Sequence, residues 1–338
     1  MPTYNVSPWV REAVESVLRQ TYSDFKLLVI DDYSTDDTVA VVRAMDDPRI
    51  QIVQNERNLG LSGNLNRGLS LVDTEYVSRM DGDDIAEPFW LERELNYLEA
   101  HPEVGVCGGG GVRFGTVNST IRFPEEHDDI AANMLFNCTI IVPTFRMSLY
   151  RNDGLRYSTE AFPAEDYRFW AECLHVTRLH NIADPLFHYR MHPTQICSSR
   201  REEQQRKVNE VRRYMLQWLG DGLSDQEMEY FCTQFTANKI TSLDDLRQRK
   251  DFARRLEQIN KHSRRIAPRA LKTRLDTNLR LALYQTAEDA HFANGYSFGR
   301  YVNYLRGGLA LRTGVKYETK FLLKSLLGRK VKGNEHTT

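Results

Sequence analysis

The 338-residue chain lacks the marks of several protein classes. Its five cysteines, Cys107, Cys138, Cys173, Cys197 and Cys232, are odd in number, widely spaced and free of any C-x-x-C pair. That argues against both a disulfide framework and a zinc site. Nowhere does an uninterrupted apolar run reach the roughly 18 residues of a membrane span, and Met1-Pro2-Thr3-Tyr4-Asn5 lacks the basic and apolar segments of a secretion signal. These absences predict a cytoplasmic protein that does not cross a membrane. No G-x-G-x-x-G follows a strand-like run, and Gly108 to Gly111 is not followed by Lys-Ser/Thr, so neither a Rossmann oxidoreductase nor a P-loop is indicated. Close backbone approach or flexibility accounts for the four glycines. Fixed-period repeats, low-complexity tracts and nucleic-acid recognition motifs are also missing, and no nucleic-acid partner is expected.

Net charge is near zero, at −1, yet it is unevenly distributed: residues up to Ser199 carry −13 and the remainder +12. An acidic half followed by a basic half predicts two units with different partners, and basic modules usually meet phosphates or anionic lipid.

In the first half, Ser7-Pro8 is expected to open a helix with a stripe of Val10, Ala13, Val14, Val17 and Leu18. Leu27 to Ile30 reads as a strand covered on both faces and ending in Asp31-Asp32. Ser34, with Asp37 three residues on, predicts a helix to about Met45. Further strands are expected at Ile50 to Val53, Tyr76 to Met80 and Val104 to Cys107, with helices at Leu61 to Val72 and from Pro88 to about Ala100. Strands alternating with helices of this length predict an α/β, doubly wound, mostly parallel sheet. Ligands of such sheets bind beyond the carboxyl ends of the strands, which puts Asp31-Asp32 and Asp81 to Asp84 on one rim. After Ser199 the strand signals fade. Helices are expected around Glu202 to Trp218, Leu246 to Ile259 and Ala270 to Gln285, giving an α/β domain over 1–198 and a smaller, basic helical module over 199–338.

Two carboxylates two residues apart on a turn, Asp81 and Asp83, suit a hard divalent cation such as Mn²⁺ or Mg²⁺ that also takes phosphate oxygens; a solvated acidic turn is the plain alternative. Asp32 suits a hydrogen bond from a nucleobase or ribose, or else caps the next helix. Tyr4 is a base-stacking candidate or a core tyrosine. Glu165-Asp166 lies among aromatics, where burial would raise a carboxyl toward the range of a general base; a helix N-terminal charge pair is the alternative. Alternation from Leu186 puts His188, Arg190 and His192 on one face, where Arg190 or His192 meets phosphate.

Taken in order, Pro2-Thr3-Tyr4-Asn5, Gln20-Thr21-Tyr22-Ser23-Asp24-Phe25, Val29 to Asp36, Leu65-Asn66-Arg67-Gly68 and Arg79-Met80-Asp81-Gly82-Asp83-Asp84 resemble the family-2 inverting glycosyltransferases of the GT-A fold. The resemblance runs from Pro2 to about Ser199. It implies that Pro2, Tyr4 and Asp32 hold the nucleotide, with Arg67 in the nucleotide-sugar site, and that Asp81 and Asp83 bind ribose and the metal diphosphate. It further implies that Asp166 is the base with Glu165 supporting it, and that Tyr189-Arg190-x-His192-x-x-Gln195 closes the phosphate side. The implied partners are a nucleotide-sugar donor, with uridine favoured, and a glycan or lipid-linked acceptor in cell-surface polysaccharide synthesis. In that family an apolar strand precedes Pro-x-Tyr-Asn, so a start at Met1 suggests a shortened first strand. Two other readings were open: an aspartate-nucleophile phosphatase using D-x-D, and a non-catalytic sugar-binding scaffold. The tail Lys316 to Lys332, with Lys316, Lys320, Lys324, Arg329, Lys330 and Lys332 around leucines, suits either an anionic membrane surface on the cytoplasmic side or a solvated packed helix.

Overall fold

The structure is a computed structural model that describes residues 1–192, 200–292, 295–306 and 315–327. Gln195, Cys197, Arg329, Lys330 and Lys332 lie outside the described residues. By internal packing the chain divides into two units, Met1–Met215 and Leu216–Thr338.

In the first unit, helix α1 (Val10–Leu18) buries Val10, Ala13, Val14 and Val17. They join a core with Leu27, Val29, Met80, Trp90, Leu186 and Phe187. Each fully buried valine-sized side chain contributes roughly 1.5–3 kcal/mol, so the helical spacing of this stripe decides which face meets the sheet. The helix begins at Val10 instead of Pro8 because Val6 O accepts the N–H groups of both Trp9 and Val10 at 2.9 Å in a preceding turn.

Strands β1 (Pro2–Thr3), β2 (Leu27–Asp31) and β3 (Ile50–Gln54) form a parallel sheet in the order β1-β2-β3. Helices α2 (Thr38–Arg43) and α3 (Gly60–Leu71) follow β2 and β3. The helix expected from Ser34 starts at Thr38, since the Ser34 hydroxyl is engaged elsewhere. It donates to Asp31 Oδ1 at 2.5 Å and accepts Asn5 N–H at 2.9 Å, tying the ends of β1 and β2 together. Asp36 Oδ1 accepts the Thr38 N–H instead, at 3.0 Å.

The second sheet contains β4 (Tyr76–Ser78), β5 (Ile85–Ala86), β6 (Val104–Gly115), β7 (Ser119–Ile121), β8 (Thr144–Arg146) and β9 (Arg178–Met191). Its order is β4-β8-β6-β9-β5, with β7 on β6. The β6–β9 ladder is parallel and long; the ladders β4–β8, β5–β9, β6–β7 and β6–β8 are short and antiparallel. Parallel pairing therefore accounts for most paired residues, and the antiparallel ladders are added by short returning segments. The glycines of 108–111 lie inside β6 and serve close approach: a Cβ on Gly109 would stand 2.4 Å from Leu186 Cδ1, and one on Gly111 2.6 Å from Phe187 Cε1. Flexibility is not needed to explain them.

Helices α4 (Trp90–Ala100), α5 (His127–Asn133), α6 (Ser148–Arg151) and α7 (Glu165–Cys173) complete the layers of this unit. The division between the units falls within α8 (Arg201–Leu219), past the 198/199 boundary drawn from charge. The N-terminal part of α8 belongs to the first unit through real contacts: Gln204 Nε2 donates to Pro163 O at 3.1 Å, and Arg212 Nε to Phe136 O at 2.7 Å.

The second unit is helical in its described residues: α9 (Asp225–Tyr230), a π-helical turn (Phe231–Phe235), α10 (Leu243–Ser263), α11 (Pro268–Phe292), α12 (Phe298–Arg306) and α13 (Val315–Leu326). Ser224 and Glu227 form a capping box at α9. Buried Arg249 donates to Phe235 O, Ala237 O and Lys239 O and pairs with Asp245 at 2.8 Å, closing the carbonyls after the π turn. Phe321 of α13 is fully buried and stacks on Tyr284 at 4.9 Å. No described helix is long and apolar enough to cross a membrane.

Candidate active site

The acidic run Asp81-Gly82-Asp83-Asp84 follows β4 and leads into β5, as its position after a strand predicted. It packs directly on β1. A Cβ on Gly82 would meet Thr3 Cγ2 at 2.9 Å and Pro2 O at 3.3 Å, so only glycine lets the turn lie against the Pro2-Thr3 backbone. Pro2 is buried, whereas Tyr4 at the end of the same strand is 51% exposed, as is Tyr33 opposite. The loops carrying the two tyrosines are linked: besides the Asn5–Ser34 bond, Asn5 Oδ1 accepts the Thr35 N–H at 2.9 Å.

Asp32 is buried, and its Oδ1 accepts Asn55 Nδ2 at 2.7 Å and the Leu59 N–H at 2.8 Å. It fastens the end of β2 to the turn before α3 and does not cap the next helix, α2. Arg67 is half-buried on α3 and makes no ion pair among the described residues. Its neighbour Asn66 exchanges two hydrogen bonds with the Tyr157 backbone, at 2.8 and 2.9 Å.

Asp166 sits in the first turn of α7, whose Tyr167, Phe169 and Trp170 are buried and leave residue 166 on the half-exposed side. The decisive contact is with Arg79, directly after β4. Its Nη1 donates to Asp166 Oδ1, and its Nη2 donates to Asp81 Oδ1 at 3.2 Å. One buried guanidinium therefore brings the carboxylates of α7 and of the D-x-D turn to one place. The Arg79 guanidinium lies 5.6 Å from the centre of the Tyr157 ring.

The charges here are poorly solvated, and that shapes protonation. Burial raises Asp166, against the opposing pull of Arg79 and with Asp81 adding to the rise. Burial also pushes Glu165 up to about 8, with Asp166 adding to the effect. Both carboxyls of the pair are therefore shifted toward the protonated form, and only Asp166 is held directly by the Arg79 guanidinium. Burial and the Asp81 charge raise Asp83, while Asp84 is raised well above the usual range by burial, Asp83 and Asp81.

The end of β9 braces the turn. Asp83 Oδ2 and His192 Nε2 are 3.1 Å apart, and the His192 ring stacks on Trp9 with centroids 4.0 Å apart. Arg190 donates from Nε to Asp83 O at 2.8 Å and from Nη2 to Glu12 Oε2 at 2.5 Å, while its backbone N–H reaches Asp84 Oδ1. His188, the third residue of this face, pairs with Glu87 at 2.6 Å. Arg190 and His192 thus touch the acidic turn itself.

Asp81 and Asp83 offer hard oxygen donors, and the mutual repulsion in this cluster is the kind that a divalent cation offsets. Among the described residues no group of three or more His, Cys, Asp or Glu side chains is arranged as a metal cage. The residues fit a cation that takes its other ligands from water and phosphate oxygens, as Mg²⁺ and Mn²⁺ do.

The profile of Glycosyl transferase family 2 matches residues 1–157. A glycosyltransferase of Haemophilus influenzae is 33% identical over 229 residues, covering 62% of this chain and 70% of that protein. The chain belongs to glycosyltransferase family 2. The succinoglycan biosynthesis protein ExoO of Rhizobium meliloti is 28% identical over 185 residues, which is 51% of this chain and 53% of ExoO, so the chain spans about half of that relative. Among solved structures, residues 1–349 of S. aureus TarS, in complex with UDP-GlcNAc, align with a TM-score of 0.57 at 18% identity, over 83% of this chain and 88% of that one. The mannosyltransferase PcManGT of Pyrobaculum calidifontis, in complex with GDP-Man and Mn²⁺, aligns with a TM-score of 0.50 at 18% identity, over 96% and 83%. These likenesses establish the GT-A fold, and family membership displaces the phosphatase alternative.

Sequence reasoning assigned no role to Arg79, Trp9, Glu12 or Asp84. For Arg79 a signal was present, since residues two apart at the end of a strand share a face, which puts Arg79 beside Asp81. Trp9 and Glu12 meet β9 across 178 or more positions of chain, and no local pattern announces that.

Proposed function

We propose that this family-2 glycosyltransferase moves a sugar, with inversion, from a nucleotide-sugar donor to a hydroxyl of a glycan or lipid-linked acceptor. The donor is a UDP-sugar and the work is cell-surface polysaccharide synthesis on the cytoplasmic side. The observation that carries the reading is the Arg79 bridge, which sets a proton-accepting carboxylate beside the D-x-D turn. The UDP-GlcNAc, GDP-Man and Mn²⁺ complexes of the fold neighbours, and the name of ExoO, support the substrate class.

In this reading Asp166 takes the proton of the acceptor hydroxyl, whose oxygen forms a bond to the anomeric carbon. The bond from that carbon to the diphosphate oxygen breaks on the opposite face, and its electron pair leaves with the nucleoside diphosphate. Single displacement gives inversion. Glu165 supports the base. Pro2, Tyr4, Asp32 and Arg67 hold the nucleotide end, with Tyr4 stacking on the base and Asp32 accepting from base or ribose. Asp81 contacts the ribose, Asp81 and Asp83 hold Mn²⁺ or Mg²⁺, and Arg190 and His192 close the diphosphate side. The cation, when bound, neutralises charge on the departing diphosphate.

The exposed leucines Leu323, Leu326 and Leu327 of the basic tail suit contact with an anionic membrane surface bearing the acceptor. The test of the whole reading is a screen of uridine, guanosine and thymidine diphosphate sugars with Mn²⁺ and with Mg²⁺, reading transfer, donor hydrolysis and the anomer of the product. Asp166→Asn is expected to lower turnover by about 10²–10⁴-fold. Undiminished turnover in Asp166→Asn and Asp83→Ala would refute the catalytic assignments, and a folded wild type inert toward every donor would favour the scaffold reading.

A further inference from the structure

Arg79 is held more firmly than either carboxylate it serves. Its side chain is 10% exposed, against 43% for Asp81 and 37% for Asp166. The Arg79 backbone N–H is bonded to Pro143 O at 3.0 Å. Its guanidinium lies against Tyr157, whose own backbone is clamped by Asn66. The guanidinium is therefore a fixed fork with one prong on each acid. Nη1 donates to Asp166 Oδ1, and Nη2 donates to Asp81 Oδ1 at 3.2 Å.

A divalent cation that takes Asp81 Oδ1 as a ligand draws on the lone pairs to which Nη2 donates. A doubly charged ion at coordination distance outcompetes a singly charged, delocalised group at hydrogen-bond distance. Arg79 does not need to leave the site when it loses this contact, because Asp166 retains the other prong.

We propose that Arg79 is a positioning residue that opposes cation binding at Asp81, through its charge and its hold on Oδ1, while it keeps hold of Asp166. Metal capture and orientation of the base are then linked through one side chain. The proposal rests on the reading of Asp81 as a ligand and Asp166 as the base. It has two consequences of opposite sign. Removing Arg79 frees Asp81 and takes away a neighbouring positive charge, so the cation binds more tightly. The same change releases Asp166, so turnover falls. A residue that only supported the fold would weaken both.

The experiment is a titration of the full chain with Mn²⁺ alone, read by electron paramagnetic resonance without donor or acceptor, on wild type, Arg79→Met, Arg79→Gln and Arg79→Lys. Donor KM and kcat are measured separately, and thermal melting identifies the folded variants; Arg79→Gln stands in if Arg79→Met does not fold. Arg79→Met and Arg79→Gln are expected to bind Mn²⁺ more tightly, on the order of tenfold. Their kcat is expected to drop by about 10²-fold with donor KM little changed. Arg79→Lys, with a single point charge in place of the fork, is expected to restore one of the two properties but not both. Wild type that binds Mn²⁺ and transfers sugar, together with a folded variant that binds Mn²⁺ no more tightly, overturns the role of Arg79 alone. Wild type that binds no Mn²⁺ overturns the metal reading and this proposal with it.

Discussion

The carboxylate of Asp84 accepts the backbone N–H of Arg190 at 2.9 Å, joining the acidic turn to the end of β9. The two residues are 106 positions apart, and both belong to the wall that braces Asp83. Asp84 is buried, so its role is to hold the turn in shape from within.

Asp84→Ala leaves the Arg190 N–H without this acceptor, and unsatisfied buried groups cost about 1–3 kcal/mol. A lower melting temperature is expected, accompanied by weaker donor binding in calorimetry. A variant with wild-type stability and donor affinity would show that the turn keeps its shape without the bond.

The histidine stack offers a pH dependence. His180 is buried and stacked on Tyr97 at 3.7 Å, with His101 stacked on the same tyrosine at 4.1 Å. Burial pushes His180 down to about 4, with Glu125 opposing and His101 reinforcing the shift. The unfolded chain takes up this proton near 6.5 and the folded chain only near 4, so acid favours unfolding across that window. The contribution to stability is complete above about 6.5 and is lost as pH falls toward 4. Melting temperatures measured between these limits should fall less steeply for His180→Phe, which keeps the ring, than for wild type.

In the helical unit, Arg249→Met strands the partly buried Asp245 and three carbonyls. Breaking one side of a buried pair costs about 3–5 kcal/mol. Denaturant unfolding should report that loss, and adding Asp245→Ala should recover part of it. Equal stability in the single and double variants would mean that the carbonyls, and not the ion pair, carry the cost.

The tail turns an apolar edge outward: Leu323, Leu326 and Leu327 are 54%, 61% and 67% exposed. Lys324 of the same helix bonds to Glu288 at 3.1 Å and Tyr296 at 2.9 Å, and Lys320 lies over the Tyr284 ring. Replacing the three leucines by serine should reduce co-sedimentation with phosphatidylglycerol vesicles and leave sugar transfer to a soluble acceptor unchanged. Undiminished co-sedimentation would remove the membrane role of this edge.

Local chemistry was legible where one short segment sufficed. The stripe of α1, the apolar run of β2 and the strand-end position of Asp81 and Asp83 all follow from periodicity and from the chain's own turns. Reading failed where a side chain had two possible partners and the distant one prevailed. Ser34 looked like a helix cap and instead ties β2 to the Asn5 loop. For the glycines at 108–111 close backbone approach and flexibility were both open, and only the fold decides for close approach, by laying Leu186 and Phe187 across them.

The sequence by itself determined the alternation of strands and helices, the split in charge, and the supply of carboxylates at strand ends, since these depend on residues within a few positions of one another. Only the tertiary structure decided that Asp166 and Asp81 share one guanidinium. Arg79 and Asp166 are 87 positions apart, and the contact exists because the second sheet and the first turn of α7 bring their backbones together. Pairing across that distance is set by the packing of the whole unit, which no local pattern encodes.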